Sequence, residues 1–151
     1  MVKAELLKQQ VLLQDIETAG LEKMAKIMEQ VFVKKGEPLF KESDQTQGLW
    51  LIASGTIEIS RVTADGWRQT LVVLPAGHFF GELSILENRK HVASAVALED
   101  TDLLLIPKAE FEKMMDEDCA LALIIVKKIA IVMSKNLRRM NDKFLSALIS
   151  Y

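Results

Sequence analysis

The sequence predicts an α+β protein: an antiparallel β-roll (a double-stranded β-helix, or jelly roll) held between helices at both ends. Three observations carry this. Residues 31–107 break into short apolar runs separated by glycine-marked turns, residues 5–29 and 108–148 carry apolar side chains at helical spacing, and Asp65-Gly66 is a hairpin signal inside the β-rich part. Short strands with frequent turns indicate a barrel or sandwich, not a parallel sheet. A length of 151 residues is room for one domain, and the reading treats 1–151 as a single unit.

Taken in order, Leu6, Leu7, Val11, Leu12 and Leu13 recur at roughly helical spacing, and Thr18 is placed as the N-cap of a second helix bearing Leu21, Met24, Ile27 and Met28. Val31-Phe32-Val33 reads as a strand and Lys35-Gly36-Glu37-Pro38 as a turn. Leu49–Ala53 is an apolar run between Gly48 and Gly55, and Thr56–Ser60 alternates as a half-buried strand does. Asp65-Gly66 predicts a two-residue turn with both central residues at φ > 0, followed by a strand over Leu71–Leu74 that Pro75-Ala76-Gly77 ends. Strands are expected over Val92–Leu98 and Leu103–Ile106, a helix over Lys108–Met115, and a long last helix capped by Asp118. Trp50 and Trp67 are expected to pack, as is the single cysteine, Cys119.

The net charge of −2 gives no electrostatic reason to expect nucleic acid. One cysteine excludes a disulfide framework and a cysteine zinc site. The N-terminal residues do not read as a signal peptide, and the longest apolar run, Leu121–Val126, is too short to span a bilayer, so a cytoplasmic setting is expected. A β-barrel metal enzyme would need clustered histidines, and His78 and His91 form no such cluster in the sequence; no enzymatic activity and no cofactor are expected.

The stretch with the most chemistry is Phe80-Gly81-Glu82-Leu83-Ser84-Ile85-Leu86. Gly81 permits φ > 0 and a close backbone approach. If a helical turn follows, the amides of Glu82, Leu83 and Ser84 open it unpaired, and such amides attract an anion. Glu82 adds a carboxylate able to accept a hydroxyl, as acidic residues do for ribose. In the last helix Val126, Ala130, Met133, Leu137, Met140, Phe144 and Ala147 are spaced alternately by four and three, the heptad seam of a helix that meets a partner. The same stripe packing on the chain's own roll is the alternative.

With these residues in place, the sequence resembles the cyclic nucleotide-binding domain family over about Leu12–Asn141. The resemblance runs through Lys35–Phe40, Leu49–Gly55, Gly77–Ser84 and Ala97–Asp100. It implies that Phe80-Gly81-Glu82 opens a phosphate-binding cassette, with Glu82 on the ribose 2′-hydroxyl and Gly81, Leu83 and Ser84 at the cyclic phosphate of cAMP or cGMP. Two departures stand out. The family's phosphate-binding arginine falls on His91, followed by Val92, and Ser43 stands where many members have glycine. Histidine offers fewer donors than arginine's fork, so three readings remain open: a cyclic nucleotide site, a pocket altered for another anion, or a vestigial fold that dimerises or docks on partners. The resemblance also places the lid over the base near Asn136 in the last helix. The cassette and the helix after the roll together lead to the expectation of a regulatory module that relays binding through that helix, to a sister subunit in a homodimer joined by the seam or to a downstream protein. Because the family's transcription factors add a helix-turn-helix that does not follow here, no direct DNA binding is expected.

Overall fold

Two four-stranded antiparallel sheets face each other, and the computed structural model describes residues 2–149. The strands are β1 (Glu29–Val33), β2 (Pro38–Phe40), β3 (Gly48–Ser54), β4 (Thr56–Val62), β5 (Arg68–Pro75), β6 (Phe79–Phe80), β7 (Ser94–Ala97) and β8 (Thr101–Pro107). One sheet has the order β1-β8-β3-β6 and the other β2-β7-β4-β5, so sequence neighbours are dealt between the sheets as a roll requires. The helices are α1 (Ala4–Lys8), α2 (Thr18–Ile27), α3 (Glu82–Glu87), α4 (Lys108–Glu117) and α5 (Cys119–Ile149), with a 3₁₀ turn at Val11–Leu13.

The apolar run in β3 has a simple cause. Successive side chains point to opposite faces, and here both faces are covered. Trp50 and Ile52 enter the interior of the roll with Phe40, Ile57, Phe80 and Leu103. Leu49 and Leu51 face the helices and join Leu7, Leu12, Leu104, Ile106, Ile125 and Ile129. Each such side chain, fully buried, contributes about 1.5–3 kcal/mol. β8 splits the same way, with Leu103 and Leu105 inward and Leu104 and Ile106 outward. Gln10 ties the N-terminal segment to this sheet by donating from Nε2 to the Ile52 carbonyl at 3.0 Å, and the Val11 amide donates to the Gly77 carbonyl at 3.0 Å.

Several local expectations are corrected. Helix does not fill 5–29, because Glu29 already begins β1 and pairs with Leu105. Glu17, not Thr18, holds the N-cap position of α2, in extended backbone with no side-chain cap. The β4–β5 connection is not a two-residue turn. Gly66 has φ 86° but Asp65 is not among the positive-φ residues, and the Gly66 amide donates to the Thr63 carbonyl at 2.9 Å. This is a three-residue loop in which a tight turn is followed by one left-handed glycine, the alternative that costs a non-glycine residue nothing. Trp67 beside it is 75% exposed, because β5 is an edge strand with little covering it. Cys119 is also exposed, its Sγ donating to the Met115 carbonyl at 3.4 Å. Asp118 caps α5 as expected: its carbonyl accepts from Ala122 at 3.0 Å, its Oδ1 from Leu121 at 3.4 Å, and its Oδ2 from Lys23 Nζ of α2 at 3.0 Å.

α5 has 31 residues, about 46 Å of helix. Its first half is anchored through Leu121, Ala122, Ile125 and Ile129. Beyond Met133 the seam leaves the roll, and Leu137, Met140 and Phe144 are each more than half exposed. No helix of the described residues is long and apolar enough to cross a membrane.

Candidate ligand site

β6 delivers the cassette. Phe79 and Phe80 pair with Leu51 and Trp50 of β3, and the Phe80 ring lies nearly parallel to Trp50, centroids 6.3 Å apart. The chain then turns at Gly81, with φ 85° and ψ 5°, and α3 begins. The left-handed conformation, costly for other residues, favours glycine here, and a Cβ would also make a tight 3.3 Å approach to the Gly48 carbonyl oxygen.

The Ile85 amide donates to the Gly81 carbonyl at 3.2 Å and closes the first turn. No side chain caps its start, and no backbone carbonyl among the described residues accepts from Leu83 or Ser84. Burial pushes the Glu82 carboxyl above its ordinary value, and the nearby backbone amide of Glu82 itself partly offsets the rise. Leu83 is exposed, whereas Ser84 and Ile85 face inward. α3 ends at Asn88 in the left-handed region, φ 51°, with the Arg89 amide donating to the Ser84 carbonyl at 3.0 Å. Asparagine is the usual substitute for glycine at such an end, a signal that the sequence reading passed over.

This tight end aims the following loop at β2. The His91 amide donates to the Asp44 carbonyl at 3.0 Å, and the Ser43 amide donates to the His91 carbonyl at 2.8 Å. Ser43 adopts φ 72°, the conformation a glycine would take there, so this departure keeps the turn at the cost of strain. The His91 ring is 5% exposed and stacks on Phe40, centroids 3.6 Å apart and planes within 6°. Its Nδ1 shares a hydrogen bond of 3.0 Å with Ser84 Oγ. Burial holds the imidazole below its ordinary value, against an upward pull from the Asp44 carboxylate.

A cavity of about 250 Å³ opens beside this histidine, lined by Leu39, Phe40, Asp44, Gln45, Gln47, Trp50 and His91. It borders His91 but not the Glu82 carboxylate. The structure thus brings Gly81, Glu82, Leu83, Ser84 and His91 together. Val92 follows His91, half-buried, while Asn136 is exposed on α5. Asp44, Gln45 and Gln47 were missed as wall residues, since nothing in their spacing tells which loop lies against a histidine 44 or more positions away.

The family model for the cyclic nucleotide-binding domain matches residues 30–118. The chain belongs to the cyclic nucleotide-binding domain family. Among curated relatives of this family member, the cyclic AMP receptor protein of Thermus thermophilus is 40% identical over 77 residues, covering 51% of this chain and 36% of that protein. The anaerobic regulatory protein of Bacillus subtilis is 35% identical over 112 residues, covering 74% of this chain and 45% of that protein. The chain therefore spans less than half the length of either relative. The crystal structure of Thermus thermophilus catabolite activator protein superposes with a TM-score of 0.77 at 26% identity, over 89% of this chain and 62% of that one. The roll with its long last helix is thus the fold of this family, and the family is a regulatory one.

Proposed function

We propose that this protein is a cytoplasmic sensor module that binds cAMP or cGMP and relays binding through α5. In this reading the cyclic phosphate sits at the amides of Leu83 and Ser84 beside Gly81, with His91 and Val92 opposite. Glu82 holds the ribose 2′-hydroxyl, and Asn136 reaches the base when α5 closes. One observation carries the reading: the left-handed bend at Gly81 opens α3 with amides of Leu83 and Ser84 that no carbonyl among the described residues takes, next to the half-buried Glu82. Had those amides been bonded within the protein, the anion seat would be gone. A ligand shifts α5 only through different affinities for two helix positions. Titration calorimetry with cAMP and cGMP tests the reading. Heat with saturation at one ligand per chain supports it, and no heat at millimolar ligand removes it.

A second reading has its own observation. The apolar seam on α5 continues past the roll with Leu137, Met140 and Phe144 exposed, which favours a homodimer through this helix or a docked downstream protein, whether or not ligand binds.

A further inference from the structure

Trp50 is 2% exposed, yet its indole Nε1–H is buried with no acceptor among the described residues. Such a donor is costly to strand and asks for a partner. The only other buried side-chain atom in that state among the described residues is Gln10 Oε1, and Gln10 does not border the cavity. Trp50 does. Its Cδ1, the ring neighbour of Nε1, lies 3.4 Å from the position a Cβ on Gly81 would take, and His91 Cε1 lies 3.9 Å from the same point. The indole edge, the histidine and the cassette glycine therefore converge.

We propose that the Trp50 indole N–H is a ligand-binding donor of this site, taking a phosphoryl oxygen of the bound cyclic nucleotide beside His91. The inference rests on the functional reading above. An indole N–H donates and never accepts, which suits an anionic oxygen. His91 has committed Nδ1 to Ser84, leaving one ring nitrogen where an arginine would present a fork. A second donor on the neighbouring strand makes up part of that deficit. Phenylalanine would fill much of the same interior space and lacks only this function.

The test uses the full chain with ¹⁵N-labelled tryptophan. Two indole resonances are expected, and Trp50→Phe identifies one by its loss. If that variant does not fold, a soluble paramagnetic agent separates them, because it broadens exposed Trp67 and spares Trp50. Saturating cAMP should move the Trp50 indole proton downfield, as hydrogen bonding does, and leave Trp67 in place. Adenosine, which lacks the phosphate, should not move it. Trp50→Phe should weaken cAMP binding about two- to tenfold and leave adenosine binding unchanged. An unmoved Trp50 resonance in protein that calorimetry shows to be saturated overturns this assignment alone, as does equal movement with adenosine. Wild-type protein that binds no cAMP overturns the functional reading and this inference together.

Discussion

His91 Nδ1 stands 3.0 Å from Ser84 Oγ, so the buried imidazole is bonded to the first turns of α3. With Phe40 on one ring face, the imidazole is fixed in position before any ligand arrives. In the proposed site, its remaining ring nitrogen is the group that would meet the phosphate.

The first prediction concerns that nitrogen. His91→Arg should tighten cAMP binding about ten- to a hundredfold at neutral pH, the worth of one charged hydrogen bond. It should also lower the melting temperature, because the Phe40 stack and the Ser84 bond are lost. Calorimetry and a thermal melt read the two effects, and an unchanged affinity would show that the phosphate lies elsewhere.

Binding by the wild type should respond to pH. Burial depresses the His91 pKa below 6.5, so the unfolded chain takes up the proton first. This contribution to stability is therefore complete above about 6.5 and falls as pH drops through the folded value. A bound phosphate raises that folded value, so cAMP affinity should rise as pH falls through the bound-state value towards the free folded one. His91→Arg should abolish the dependence.

Glu82 has the opposite sign. Its pKa is raised above 4.5 by burial, so its charge costs stability increasingly as pH rises from 4.5 through the folded value. Glu82→Gln should leave the protein at least as stable at neutral pH, while weakening cAMP binding about tenfold, as loss of a charge-assisted hydrogen bond does. The 2′-deoxy analogue should bind the variant and the wild type alike. A variant that discriminates as the wild type does would remove the ribose role.

Leu137→Lys probes α5. Residue 137 touches little in its own chain, since it is 58% exposed. The substitution should keep the fold and shift sedimentation from twice the chain mass to once. Wild-type protein that sediments at a single chain mass would refute the helix-mediated dimer.

Gly81→Ala and Gly36→Ala separate strain from crowding. Both glycines have φ near 85°, but a Cβ at Gly36 meets nothing within 4 Å. Each should cost about 1–2 kcal/mol for the left-handed backbone, measured by denaturant unfolding. Gly81→Ala should cost more and also impair cAMP binding.

Much was legible in the sequence because it rests on local rules. Periodicity and turn residues marked the strands, Gly81 marked the left-handed bend that opens α3, and Asp118 announced the start of α5. The motifs together carried the family. Where local rules admit two answers, contacts decided. The Asp65-Gly66 turn took the loop needing one positive φ instead of two, Trp67 fell on an uncovered edge while Trp50 was enclosed, and Ser43 adopts a glycine's conformation where its amide bonds the His91 carbonyl and the next residue, Asp44, accepts from the His91 amide. The cavity walls were invisible beforehand, because residues 39–47, Trp50 and His91 are brought together only by the packing of the two sheets, and the Ser84–His91 bond, though it spans seven residues, depends on the reversal of the chain at Asn88.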